Sequence, residues 1–233
     1  LQEAQKGVIF MEEAKVLFTI FGLDVTGHVT TMWAIMLFLF LVFVVATRKL
    51  DKVPGRFQCL IEFIVESLLN FFSGIMGREQ ARRYFPLLAT LFLFILISNW
   101  SGILPFAGHV EGFKPPTSTL SVTAGLAITV FVITQIAGVR AKGFGYVKHF
   151  FQPFFIMFPL NLIEELVRPI SLSLRLFGNV FGEEMVVSVL LLIFPYFVPA
   201  IMQVLGILFG FIQALVFTSL TAVYISSATA DSH

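Results

Sequence analysis

The sequence predicts an all-α integral membrane protein of five transmembrane helices plus an amphipathic helix, the last two spans long, tilted and paired in a hairpin. Three observations predict it. Of 233 residues, 58% are hydrophobic and only 12% charged, whereas soluble domains run nearer half apolar and a quarter charged. With a mean hydropathy of +0.93, much of this surface needs the bilayer as its solvent. Apolar runs of ~20 residues, the length that crosses a ~30 Å hydrocarbon core as helix, recur along the chain. The basic residues gather in alternate connections between those runs.

In chain order, residues 1–28 form a tail in which Glu3, Glu12, Glu13 and Asp24 outnumber Lys6 and Lys15. The first span covers 29–47. Segment 57–76 (FQCLIEFIVESLLNFFSGIM) differs, because Glu62, Glu66, Asn70 and Ser73 recur at helical spacing. They leave an apolar face of Leu60, Phe63, Ile64, Leu68 and Phe71, which predicts an amphipathic helix at the membrane surface. The second and third spans cover 85–105 and 119–138. The fourth, 153–194, exceeds one perpendicular crossing and predicts strong tilt or entry along the inner surface. Pro195 and Pro199 break the helix before the fifth span, 196–228. No repeat or linker divides the chain, so 1–233 reads as one membrane domain.

Orientation follows the placement of Lys and Arg. Arg48, Lys49, Lys52, Arg56, Arg78, Arg82 and Arg83 lie between the first two spans, and Arg140, Lys142 and Lys148 between the third and fourth. Lys114 stands alone in its connection, and 194–199 carries no charge. The N-terminus is therefore expected outside, with both basic loops and the C-terminus inside.

Several function classes fall away. A net charge of +1 without a basic stripe implies no nucleic-acid partner. Cys59 is the single cysteine, and the chain has neither a Cys/His cluster at metal spacing nor a G-x-x-x-x-G-K-[ST] loop. No cofactor or metal site is expected, and any ATP is handled by another chain. His28, His109, His149 and His233 lie in tails or loops and read as solvated. Asn99 and Trp100 read as interface anchors. Thr117, Ser118, Thr119 and Ser121 read first as caps of the third span and second as lining of an outer vestibule.

The chemistry concentrates in the fourth span, which contains Glu164, Glu165, Arg168, Arg175, Asn179, Glu183 and Glu184. Ionisable groups inside a span are costly and point to function. Arg168 and the first Glu pair sit near the inner end, where long side chains also snorkel. Arg175 falls near mid-membrane with no acid within one helical turn. Glu164 lies ~16 Å below it on nearly the same face, and Glu184 ~13 Å above it, rotated by roughly half a turn. Acids thus flank a permanent cation toward opposite surfaces, as two aqueous half-channels separated by a barrier require. Ser171, Gly178 and Gly182 fall within ~60° of the Arg175 direction, a small-residue stripe that suits either packing within the chain or a partner helix. The fifth span offers Gly206, Gly210, Gln213 and Phe217. Gln213 comes to the depth of Arg175 and is a candidate to orient it, while Gly206 comes level with Glu184.

PISLSLRLFGNVFGEE (169–184) followed by IQALVFTSLTAVYI (212–225) resembles the two signature helices of subunit a of F-type (Fo) ATP synthases. The outer PPTSTLSVT stretch and the five-span layout agree. The resemblance implies a stationary, non-catalytic subunit whose last two helices press against a rotating c-subunit ring. It implies peripheral-stalk b subunits and the remainder of the synthase as further partners. It makes Arg175 the essential arginine, Glu184 the outer half-channel acid, Gln213 the glutamine near the arginine and Asn179 the motif asparagine. The inner acid corresponds to Glu164 or Glu165, with Glu165 preferred. Ser171, Gly178, Gly182, Gly206 and Gly210 become candidate ring contacts. Two departures stand out. Gly206 occupies a position where many members carry a His or acid, and Thr119 and Ser121 stand where many carry Asp and Asn. Glu183 and the hydroxyls are candidates to stand in. Short outer loops and the lack of a transit-peptide pattern point to a bacterial plasma membrane.

A secondary transporter would show inverted repeats, an intramembrane enzyme a nucleophile with its base or metal ligands, and a purely structural subunit no need for Arg175 in a span. The sequence fits none of these.

Overall fold

Charge and glycine end these helices more than proline does, and the computed structural model shows where. It describes residues 16–20, 23–48, 55–102, 115–143, 158–193 and 198–230. The predicted features at Lys49, Lys52, Lys114, Lys148, His109, His149, His233 and Pro195, and the acids of residues 1–15, lie outside the described residues. Strands β1 (Val16–Ile20) and β2 (Leu23–Thr26) pair antiparallel with Ile20 opposite Leu23. The tail thus carries a hairpin that the sequence reading did not include. Helices follow as α1 (Gly27–Arg48), α2 (Arg56–Met76), α3 (Arg78–Ser101), α4 (Leu120–Lys142), α5 (Phe158–Ile193) and α6 (Val198–Thr229). A 3-10 turn, Pro116–Ser118, precedes α4.

The hairpin apart, the described chain is helical, as a membrane solvent demands of a backbone that must satisfy itself. Side-chain hydroxyls obey the same demand. Thr31, Thr134, Thr218 and Thr221 each donate to the carbonyl four residues back, at 2.8–2.9 Å. In α3, Thr90 donates to Pro86 O at 2.7 Å beside the proline inside that helix.

Among the described residues five helices are long and apolar enough to cross a membrane: α1, α2, α3, α4 and the Ile201–Thr229 part of α6. This set includes α2, whose sequence reads as amphipathic, and leaves out α5, whose ionisable residues are spread along its described length. At 36 residues α5 extends ~54 Å, well beyond a ~30 Å core.

The core lies among α3, α4, α5 and α6. Leu91, Phe92 and Ile95 of α3 pack with Ala127 and Val130 of α4, Leu172 and Leu176 of α5, and Ala214 and Phe217 of α6. A second cluster lies toward the end that carries Arg78–Arg83, Arg140 and Lys142. There Phe72 and Met76 of α2 meet Ala81 and Leu88 of α3, Ala137 of α4, and Ala222 and Ile225 of α6. Thr229 Oγ1 donates to Gln80 Oε1 at 3.2 Å and ties α6 to α3 at the same end. α3 is the central helix, with 56% of its apolar window buried against 11% for α1 and for α2. α1 is buried only near its start, at Gly27, Thr31 and Ile35, and exposes Leu37, Phe40, Leu41 and Val45 as a lipid-facing helix does. α2 buries only Phe72 and Met76 near its end, while Phe57, Leu60 and Phe63 stay exposed. Gly77, at φ 80°, makes the single-residue corner from α2 into α3, a conformation that side-chain-bearing residues avoid.

Candidate functional site

Arg175 is exposed on α5, and among the described residues no carboxylate pairs with it. Leu172 and Leu176 on the neighbouring face are fully packed into the core, so the helix is anchored on one side and presents the guanidinium on the other. Ser171 and Gly182 beside it are half-buried and Gly178 is exposed. A Cβ added to Gly178 or Gly182 would meet nothing within 4 Å. Asn179, one turn on, is half-buried.

Gly206 and Gly210 do not share that outward stripe. Both are buried inside the chain, which corrects their expectation as ring contacts. A Cβ on Gly210 would stand 3.1 Å from Asn99 Cβ and 3.3 Å from Trp100 Cδ1. The bare α6 backbone lets α3 approach, and Asn99 Nδ2 donates to Gly210 O at 3.1 Å while Trp100 Nε1 donates to Ile207 O at 3.0 Å. Asn99 and Trp100 are therefore rivets between α3 and α6 rather than simple interface anchors. A Cβ on Gly206 would stand 2.7 Å from Glu183 Cδ. The acid that faces Gly206 is Glu183, half-buried, while its neighbour Glu184 is exposed. Consecutive helical residues point ~100° apart, so one of the pair turns toward α6 and the other away.

Gln213 is buried, and no hydrogen bond joins it to Arg175 among the described residues. Its Nε2 has no partner there, and the same is true of Ser98 Oγ, Asn99 Oδ1 and Thr117 Oγ1. Asn99 is bonded to α6 one turn from Gln213, and the 3-10 turn that holds Thr117 packs on α3, α4 and α5. The hydroxyls before α4 do not cap it. Ser118 Oγ donates to Pro115 O and Thr119 Oγ1 to Pro116 O, both at 3.0 Å, back toward the turn. Thr123 Oγ1 instead reaches Ser173 Oγ of α5 at 3.3 Å, close along the helix to Arg175. His28, expected to be solvated, lies with Nδ1 3.1 Å from Pro115 O.

Toward the other end of α5, Arg168 Nη1 donates to Glu165 Oε1 at 2.6 Å and Nη2 to Glu164 Oε1 at 3.0 Å. Gln135 Nε2 of α4 donates to Glu165 Oε2 at 2.9 Å. The Arg168 guanidinium lies 5.2 Å from the Tyr224 ring centroid of α6, within cation–π range. Sequence reasoning did not single out Gln135 or Tyr224. An amide alone inside the apolar third span was the available signal for Gln135, since such groups seek partners across helices. Among the described residues no group of three or more His, Cys, Asp or Glu could hold a metal ion.

Fold and site together define a polytopic helical membrane protein with ionisable residues along one long helix, α5, which packs on α4 and on the uncharged α6. The family described as ATP synthase A chain matches residues 29–226. The chain is 47% identical over 212 residues to ATP synthase subunit a of Moorella thermoacetica, covering 91% of this chain and 94% of that protein. It is 43% identical over 210 residues to ATP synthase subunit a 1 of Syntrophotalea carbinolica, covering 88% and 87%. With ATP synthase subunit a of Geobacter sulfurreducens it shares 40% identity over 205 residues, 86% of each. The chain belongs to the ATP synthase A chain family. It is a non-catalytic membrane component of the Fo sector and associates with the rest of that complex.

Proposed function

We propose that the chain is the stationary ion channel of a rotary ATP synthase, in which Arg175 separates two offset half-channels that load and unload protons or Na+ on carboxylates of a c-subunit ring. The observation that carries this reading is Arg175: a mid-helix cation, exposed on α5, with no carboxylate of the described chain against it. A permanent charge in a membrane is costly until an anion approaches, and the open Gly178 and Gly182 positions beside it are where another helix fits closely. Ser171, Gly178 and Gly182 are the ring-facing set.

The outer route passes Glu184 and Glu183 and the region of Ser98, Asn99, Thr117 and Gln213, whose buried, unpartnered polar atoms are of the kind ordered water satisfies. Asn179 lies between those acids and Arg175 along α5. The inner route passes the Glu164–Glu165 pair. An arriving ion neutralises a ring carboxylate, which then enters lipid, and the rotating ring delivers it to the other half-channel. Arg175 attracts the emptied carboxylate and blocks a direct ion path. One charge crossing 100 mV releases ~2.3 kcal/mol, so several ions serve each ATP made by other subunits.

The reading places the N-terminus outside and the C-terminus inside. It lays α2 along the inner surface of a bacterial plasma membrane and adds peripheral-stalk b subunits as partners. The polar residues Glu62, Glu66, Asn70 and Ser73 along α2 support its place, and the bacterial relatives support the membrane. The test is ATP-driven ion pumping by membrane vesicles carrying Arg175→Ala, with hydrolysis followed in parallel. Loss of pumping with the complex assembled is expected. Near-normal pumping would reduce Arg175 to a structural charge and overturn the proposal.

A further inference from the structure

We propose that Glu164, and not Glu165, is the acid that exchanges the ion on the inner route, and that Glu165 is a structural anchor tied to Gln135 and Arg168. The inference rests on the half-channel reading above and reverses the preference that the sequence gives to Glu165. Both Glu165 oxygens are engaged, Oε1 by Arg168 and Oε2 by Gln135. Its side chain is 17% exposed. An ion reaching this carboxylate must first displace a guanidinium or an amide from a charge-assisted bond, the stronger kind. Breaking such a bond leaves Arg168 half-buried without its closest partner, a penalised state.

Glu164 differs on each count. Its side chain is 64% exposed, it accepts one bond, from Arg168 Nη2 at 3.0 Å, and its second oxygen carries none among the described residues. An exposed i,i+4 ion pair is weak and readily opened. Direction agrees as well. Eleven residues separate Glu164 from Arg175, so the two differ by only ~20° around α5, whereas Glu165 turns ~80° away, toward α4 where Gln135 meets it. Glu164 therefore shares the face on which Arg175 is presented, and Glu165 does not.

Glu165 has a different task. With Gln135 of α4 and, through Arg168, Tyr224 of α6, it joins three helices around a small pocket that Thr134 and Leu172 also line. That clamp fixes the end of α5 from which Glu164 projects.

The experiment compares Glu164→Gln, Glu165→Gln and Gln135→Leu in the whole synthase, in inverted membrane vesicles. ATP-driven pumping is normalised to the amount of assembled complex, and complex survival on heating is scored alongside. Glu164→Gln is expected to lose ~10²-fold in pumping rate, the scale of a missing proton-transfer group, with normal heat survival. Glu165→Gln is expected to lose heat survival, while its assembled complexes outpump Glu164→Gln by at least ~10-fold. Gln135→Leu weakens the clamp without touching an acid and keeps the test open where Glu165→Gln fails to assemble. It is expected to lower heat survival alone, and not to lower it further in the Glu165→Gln background, because the two share one bond. Glu164→Gln pumping at the parent rate, or Glu165→Gln falling to the Glu164→Gln level in assembled complexes, overturns the assignment. Arg175→Ala in the same vesicles separates the two levels: if it is inactive while Glu164→Gln pumps normally, only the present inference fails.

Discussion

Gly206 and Gly210 are one turn apart on α6, and alanine at each should act in opposite ways. At Gly210 the new methyl would sit 3.1 Å from Asn99 Cβ and 3.3 Å from Trp100 Cδ1, against groups held by hydrogen bonds to α6 itself. Nothing there is a loose end. Overpacking a fixed contact costs about 1–3 kcal/mol, and exchanging Gly for Ala in a helix returns about 0.5–1 kcal/mol. The net is a loss of about 1 kcal/mol, more if α3 shifts and the Asn99 and Trp100 bonds stretch. At Gly206 the obstacle is the far end of a Glu side chain, which can swing aside. The helix gain then remains, and stability should hold or rise by a few tenths of a kcal/mol. The displaced carboxylate, however, belongs to the proposed outer route. Heat survival of the assembled complex and ATP-driven pumping, measured on both variants, read the two effects separately. Gly210→Ala should lose survival, and Gly206→Ala should keep survival and lose pumping rate. Equal loss of survival in the two variants would refute the reasoning, because it would mean that Glu183 is as rigidly held as Asn99.

Glu183→Gln should slow pumping in complexes that assemble normally, since the amide keeps the shape lodged at Gly206 and loses only the charge. Normal pumping would remove Glu183 from the outer route. Thr123→Val and Ser173→Ala should each cost about 0.6 kcal/mol of complex stability, the average for interhelical hydrogen bonds in membranes, with the double variant costing less than the sum because the hydroxyls share one contact. Additive losses in a thermal-survival cycle would show that the contact carries no energy.

The helices were legible because hydrophobic length is a strong signal, and their ends were less so. The second span reads as 85–105 in the sequence, yet α3 begins at Arg78. Hydropathy registers where lipid begins, and REQARRY is polar helix that continues past it. α4 likewise runs to Lys142 rather than stopping at 138. The hairpin was missed because its strands, of five and four residues, are far shorter than the ~20-residue apolar runs that reveal the spans. In the site, Arg175 and its small-residue stripe were readable from α5 alone, since one helix fixes its own faces. Gln135, Tyr224, Asn99 and Trp100 were not, because their roles depend on how helices distant in sequence cross. The two glycines of α6 show the ambiguity plainly: small residues admit a close neighbour, but nothing in their spacing says whether it comes from another chain or from α3.

The division of α5 into faces explains how an arginine can be kept in a membrane helix at all. Its packed face is apolar, with Leu172, Leu176 and Val180 buried, and Ser173 is bonded across to α4. The clamp at Arg168 and Glu165 fastens one end, and Glu183 meets α6 toward the other. None of these contacts uses Arg175. Folding of the chain therefore does not depend on neutralising that charge internally, as it would if an acid of α6 faced it. The unmet charge is left for whatever docks on the exposed face. An internal partner would have fixed Arg175 as a structural ion pair and, by the same contact, denied it to a passing carboxylate. The strength of α5's attachment elsewhere is thus what allows its central cation to remain available.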